Sequence, residues 1–283
     1  MKIIECPRDA MQGLHEFVPT ELKVRYINEL LKVGFDTIDF GSFVSPKAIP
    51  QLKDTAEVLS QLDLSNTNSK LLAIIANTRG ADAAKEHPEI DYLGFPLSLS
   101  ETFQQKNTNK SIDEAFVSLQ EIQDICVKYD KTLVTYISMG FGNPYGDPYE
   151  MDYIAQFVER LIKMEVKVIS LADTVGVSNE ENITTVFESM IQQFPQVEFG
   201  AHLHSDRDTA MSKIHAAYKA GCRRFDGAIN GFGGCPMADD VLVGNIATET
   251  IIDYMNKYSD QNTLNSEALN TAMNIAPSIF LEH

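Results

Sequence analysis

His202-Leu203-His204 sets two imidazoles at alternate positions. On a strand such residues share a face, so both rings can address one cation. Asp9 and Asn245 would add a carboxylate and an amide oxygen. Two nitrogens and two oxygens suit a divalent ion of intermediate hardness, leaving manganese, magnesium, iron and zinc all open. The competing reading is two satisfied histidines packed against the next loop. Arg8, directly before Asp9, is either half of a structural ion pair or a planar cation aimed at a developing enolate or carboxylate oxygen. Asp173 reads as the cap of the turn Thr174–Gly176 or as a support for a ligand. Cys235, in Gly231-Phe232-Gly233-Gly234-Cys235-Pro236, is a small packed residue or a thiol on a flap that three glycines free to move. That loop lacks the Lys-Ser/Thr pair of a phosphate-binding P-loop.

Residues so far apart in sequence need a scaffold that gathers them. Short β-type runs alternate with helical stretches along the chain. Strands are predicted at Ile3–Cys6, Thr37–Phe40, Leu71–Ala76, Ile90–Phe95, Thr132–Ser138, Val166–Leu171, Val197–His204 and Arg223–Ile229. Between them come helices over Thr20–Val33, Leu52–Leu62 and Ala81–Lys85, then one opened by a Ser111/Glu114 capping box. Further helices follow at Met151–Met164, behind a Ser178/Glu181 box, at Asp208–Ala220 and through Ile246–Met255. Eight strand–helix pairs at about 30-residue spacing predict a (β/α)8 TIM barrel, an α/β fold of parallel strands. A doubly wound sheet competes, but no G-x-G-x-x-G follows the first strand. A barrel puts chemistry at the C-terminal ends of its strands. Arg8, Asp9, Asp39, Ser42, Lys47, Asp173, His202 and His204 all fall there, with Asn245 past the last strand. One catalytic domain is expected over residues 1–260, with a C-terminal helical extension over 261–283. Leu281-Glu282-His283 resembles the start of a purification tag, so His283 is left out of the chemistry.

Composition limits the partners. The chain has 283 residues, 44% of them hydrophobic. Its longest apolar run, Leu71–Ala76, is far too short to cross a bilayer. A net charge of −17 repels phosphate backbones and argues against nucleic acid. Cys6, Cys126, Cys222 and Cys235 are scattered and no signal peptide precedes the first strand, so reduced thiols and a cytoplasmic location are expected.

From Ile3 to Met255 the sequence resembles the hydroxymethylglutaryl-CoA lyases of the DRE-TIM metallolyase superfamily. The resemblance rests on Pro7-Arg8-Asp9 with Gln12, on Ser42-Phe43-Val44-Ser45-Pro46-Lys47, and on Ser170-Leu171-Ala172-Asp173-Thr174-Val175-Gly176. It continues through the His202/His204 pair, the Gly231–Pro236 loop and Gly244-Asn245-Ile246-Ala247-Thr248-Glu249. It implies a divalent metal, Mg2+ or Mn2+ before Zn2+, held by Asp9, His202, His204 and Asn245. It implies cleavage of 3-hydroxy-3-methylglutaryl-CoA into acetoacetate and acetyl-CoA. Arg8, Asp39, His202 and Cys235 would be catalytic, and Gln12, Ser42, Lys47 and Asp173 would meet substrate. A homodimer is implied as well. Lys47, Arg79, Lys106 and Lys110 lie in loops at the predicted active face, where local positive charge would help bind the anionic coenzyme A.

The chain departs from the family pattern at defined points. Ala10-Met11-Gln12-Gly13 replaces Gly-Leu-Gln-Asn, and His15 stands where a lysine is usual. Asp39 replaces a glutamate, Ser205 replaces an acidic residue after the second histidine, and Asp206 is the nearest substitute for it. The stretch from Cys235 to Asn245 is one residue longer than usual. These departures keep a second reading open, a DRE-TIM aldolase acting on 4-hydroxy-2-oxoacids or a Claisen-type synthase. A third reading is a non-catalytic metal-binding barrel.

Overall fold

The structure is a computed structural model that describes residues 1–234, 243–258 and 263–281. Its centre is a closed parallel barrel whose strands neighbour one another in chain order. They are β1 (Lys2–Glu5), β2 (Thr37–Ser42), β3 (Lys70–Ile74), β4 (Tyr92–Ser98), β5 (Thr132–Ser138), β6 (Val168–Ala172), β7 (Glu198–His202) and β8 (Arg224–Gly227). β8 closes on β1 through Lys2–Arg224 to Glu5–Gly227. The helices are α1 (Pro7–Gln12), α2 (Thr20–Val33), α3 (Thr55–Leu59), α4 (Thr78–Ala84), α5 (Glu101–Thr108), α6 (Ile112–Lys128), α7 (Met151–Lys163), α8 (Glu180–Gln193), α9 (Arg207–Lys219), α10 (Thr248–Tyr258) and α11 (Ser266–Phe280).

The alternation of strand residues divides the core in two. Leu72, Val134, Tyr136 and Val168 pack together with Ile74 and Tyr92, while a much larger apolar layer joins the strands to the helices. Two-sided burial explains why the strands read as continuous apolar runs. Local signals set the ends of the helices. α2 buries Tyr26, Ile27, Leu30 and Leu31 and stops at Gly34, whose φ of 88° is left-handed. α6 opens with the Ser111/Glu114 capping box that the sequence predicts.

Four expectations need correction. α8 is capped by Asn179 with Asn182, because Ser178 is used by Asp173. α3 covers only Thr55–Leu59, since Pro50–Leu52 forms a separate 3-10 turn ahead of it. β7 ends at His202, so His204 lies beyond the strand and reaches its place through a bridge to Asn245. The stretches directly after β1 and β4, where no helix is predicted, hold α1 and α5.

The C-terminal α11 lies on α2. Asn265 N–H donates to Val33 O at 2.9 Å, and Phe280 meets the rings of Tyr26 and Phe232. Glu282 and His283 lie outside the described residues. Among the described residues no helix is long and apolar enough to cross a membrane.

Candidate metal centre

Arg8 and Asp9 leave β1 on α1, which starts with Pro7, a residue suited to a first helical turn. Helical spacing brings Gln12 back over both. Arg8 Nη1 donates to Gln12 Oε1 at 2.9 Å, and Gln12 Nε2 donates to Asp9 Oδ1 at 3.0 Å. Asp39 on β2 accepts from Arg8 Nε at 3.0 Å and from Nη2 at 2.5 Å. Arg8 Nη1 also donates to Asp9 Oδ1 at 2.9 Å. Four of the five guanidinium N–H groups are therefore engaged, and one Nη2–H has no partner among the described residues.

The histidines arrive from the end of β7, which β8 alone separates from β1. His202 Nδ1 lies 3.0 Å from Asp226 Oδ2 on β8, and His202 Nε2 lies 3.4 Å from His204 Nε2. Asn245 Nδ2 donates to Asp9 Oδ2 at 2.8 Å and to Phe232 O at 3.0 Å, which ties the loop after β8 to α1. Asp9, His202 and His204 each offer a ligand atom within 4.8 Å of the others. Two ring nitrogens aimed at each other beside a buried carboxylate form a donor set that fits a divalent cation.

Burial works against ionised Asp9, but Arg8, His202 and His204 outweigh it and hold the carboxyl below its usual range. Burial, then the neighbouring His202, pushes His204 down to about 4, so it is a neutral imidazole at pH 7. Burial alone would lower His202; Asp226 reverses that and raises it. Burial raises Asp39 to about 6 against the pull of Arg8, so it is ionised at neutral pH.

The cluster lines a cavity of about 370 Å3, whose apolar lining includes Val44, Ile49, Ile74, Pro96 and Phe103. Ser138 and Thr174 add hydroxyls, and the Tyr136 ring meets His202 edge-on at 5.7 Å.

The HMGL-like family model matches residues 2–275. The chain is 34% identical to the hydroxymethylglutaryl-CoA lyase YngG of Bacillus subtilis over 91% of its own length and 85% of that protein. It is 31% identical to the hydroxymethylglutaryl-CoA lyase of Pseudomonas mevalonii, over 89% of this chain and 83% of that one. Among solved structures, an HMG-CoA lyase from Acinetobacter baumannii in complex with coenzyme A and 3-methylmalate superposes with a TM-score of 0.90. It is 30% identical and covers 99% of this chain and 90% of that one. This chain belongs to the HMGL-like family.

The other residues singled out in the HMGL-like sequence take varied places. Gln12 lines the cavity. Ser42 Oγ accepts from Val44 N–H at 3.1 Å, shaping the loop that supplies the Val44 wall. Lys47 is exposed on the same loop. Asp173 does not line the cavity. Its Oδ2 accepts from Ser178 Oγ at 2.5 Å, from Ser178 N–H at 3.1 Å and from Lys213 Nζ at 3.3 Å. Arg79 sits on α4 and Lys106 on α5, with Lys106 over the Tyr145 ring, while Lys110 donates to Ser118 Oγ at 2.5 Å. Asp206 does not support a histidine; it caps α9 through Thr209. Cys235 lies outside the described residues.

Sequence reasoning missed two positions that hold the histidines. Asp226 bonds His202, and Lys213 donates to His204 O at 2.8 Å. The signal for Asp226 was present, since an acidic residue inside a barrel strand is costly to bury without a task.

Proposed function

We propose that the chain is a divalent-metal-dependent carbon–carbon lyase cleaving 3-hydroxy-3-methylglutaryl-CoA, or a close thioester, to acetoacetate and acetyl-CoA. The observation that carries this reading is Arg8 bonded to Asp9 within one cavity that also holds His202 and His204, in an HMGL-like chain.

Asp9, His202, His204 and Asn245 would hold the cation; the donor set of two imidazoles, a carboxylate and an amide admits Mg2+, Mn2+ or Zn2+, and the family resemblance favours the first two. When bound, it would supply Lewis acidity that lowers the pKa of a substrate hydroxyl, as metal ions do for bound water. Arg8 is the electrostatic partner of the thioester enolate released by retro-Claisen cleavage. Its unpartnered Nη2–H stabilises the enolate oxygen by ~3 kcal/mol, the size of one oxyanion donor. Asp39 fixes the plane of that guanidinium with two contacts, a geometry lysine would not reproduce. The family resemblance makes His202, held at Nδ1 by Asp226, a participant in proton transfer as well as a ligand. Gln12 orients Arg8 and Asp9 together, Ser42 and Asp173 act through the loops they hold, and Lys47 meets coenzyme A phosphate. Cys235 belongs to this reading as the thiol of the loop that closes the site.

A homodimer in the cytoplasm is part of the same reading, in keeping with the free, buried Cys6, Cys126 and Cys222, and sedimentation velocity tests the dimer. Product analysis tests the reaction. Incubation with 3-hydroxy-3-methylglutaryl-CoA and Mg2+ is expected to release equal amounts of acetyl-CoA and acetoacetate. Pyruvate and an aldehyde from a 4-hydroxy-2-oxoacid, with no acetyl-CoA from the thioester, would instead establish the aldolase reading.

A further inference from the structure

The hydrogen bond between His202 and Asp226 has a direction. A carboxylate oxygen accepts and a ring N–H donates, which assigns the proton of this contact to His202 Nδ1, 3.0 Å from Asp226 Oδ2. The neutral ring then presents a bare lone pair at Nε2, the atom that faces His204 Nε2 across 3.4 Å. Asp226 is 4% exposed, and its Oδ1 has no hydrogen-bond partner among the described residues.

A second buried charge stands two residues earlier on β8, on the same side of the strand. Arg224 is 1% exposed, and none of its three guanidinium nitrogens has a hydrogen-bond partner among the described residues. Gly200 leaves room for its stem. A Cβ there would lie 3.2 Å from Arg224 Cδ, so the stem would have to give by a few tenths of an ångström. The headgroup sits over the Tyr92 ring at 5.5 Å, inside the barrel. Glu198 Oε1 and Asp36 Oδ1 lie at 3.5 and 3.8 Å. Burial disfavours the cation, yet Asp226 heads the charges that hold it ionised. Burying a guanidinium and a carboxylate without full hydrogen bonding is costly, and an apolar pair would fill a barrel core more cheaply.

We propose that Asp226, with the charge of Arg224 two residues before it on the same face of β8, is a positioning residue that holds His202 in its Nδ1–H form and turns Nε2 towards the cavity. Carboxylates behind ligating histidines act in this way, and their loss typically weakens metal binding by about 10–100-fold. The ring geometry stands by itself; only the metal readout below rests on the proposed metal-dependent function.

Two measurements test the proposal. The first uses the 15N-labelled, metal-free chain at about pH 9, where imidazoles are neutral, and long-range 1H–15N correlation spectra. His202 is expected to show a protonated Nδ1 and a bare Nε2, and a proton on Nε2 with a bare Nδ1 overturns the proposal without any variant. The second is Mn2+ titration of wild type, Asp226→Asn and Arg224→Met. Asp226→Asn should redistribute the His202 proton between its two nitrogens and raise the Mn2+ Kd by about 10–100-fold. Arg224→Met should move both readouts in the same direction by less. A folded Asp226→Asn with an unchanged His202 pattern and an Mn2+ Kd within about twofold of wild type overturns the proposal, and the same result for Arg224→Met removes Arg224 from it. Should wild type bind no Mn2+, the metal reading fails, and the His202 spectrum still decides the role of Asp226.

Discussion

Arg8 is the residue on which most of the site converges. It joins Asp39, Asp9 and Gln12, so its removal acts on charge and geometry together. Arg8→Met is expected to lower kcat by about 10²–10³-fold, the cost of one lost oxyanion donor. It should also destabilise the fold by about 3–5 kcal/mol, because two buried carboxylates lose their counter-charge. Steady-state kinetics beside urea unfolding check both, and a variant of normal kcat would remove Arg8 from the chemistry. The importance of Arg8, Asp9, His202 and His204 was legible in sequence, because a barrel places such residues at one mouth. Their partners were not. Gln12 depends on α1, which its polar composition hid, and the contact between Asp226 and His202 follows from strand register, which no local pattern encodes.

The elements around the site succeed or fail by how closely their backbones approach. Gly233 has a φ of 90°, and a Cβ on it would lie 2.7 Å from Ala10 Cα and 2.9 Å from Asn245 Nδ2. Gly233→Ala is therefore expected to push the loop after β8 off α1, weakening Mn2+ binding with little effect on helix content. Calorimetric titration and circular dichroism check the two halves, and unchanged Mn2+ affinity would show that this contact does not set the site. Element order and fold class were readable because alternating apolar runs and capping residues are local signals. β5 lies at Thr132–Ser138 as predicted, and α2 at Thr20–Val33. α5 was missed because its eight residues bury only Phe103 and Gln104 and carry no apolar stripe. The cap of α8 was misplaced because Ser178 and Asn179 both suit a helix start, and a tertiary partner, Asp173, chose between them.

At the scale of the molecule, a buried acid fastens the seam where β8 meets β1. Glu5 accepts from Ile229 N–H at 3.0 Å and from Thr248 Oγ1 at 2.5 Å, joining β1 to the segments after β8. Burial, only partly offset by those bonds, raises its pKa from 4.5 to about 8. Between these values the folded chain keeps a proton that the unfolded chain has released. The contribution of Glu5 is thus complete below about 4.5 and is lost as pH rises through about 8. Glu5→Gln should flatten this dependence, gaining stability over wild type on the order of a few kcal/mol at pH 8 relative to pH 5. Urea unfolding across that range checks it, and parallel curves for the two proteins would contradict it. The net charge of −17 acts on the same scale. It repels a coenzyme A thioester, so raising salt from about 0.01 M to about 0.15 M, which shortens the screening length from about 30 Å to about 8 Å, should lower KM. A KM that rises with salt would mean that local lysines overcome the overall field.

The most direct test of the account is acetoacetate release from 3-hydroxy-3-methylglutaryl-CoA by protein stripped with chelator, with Mg2+ or Mn2+ then added back. The account predicts no release from the stripped protein, recovery with either cation, and no recovery in Asp9→Asn at the same concentrations. Full release in the presence of excess chelator, or none from wild type with Mn2+ demonstrably bound, would contradict it.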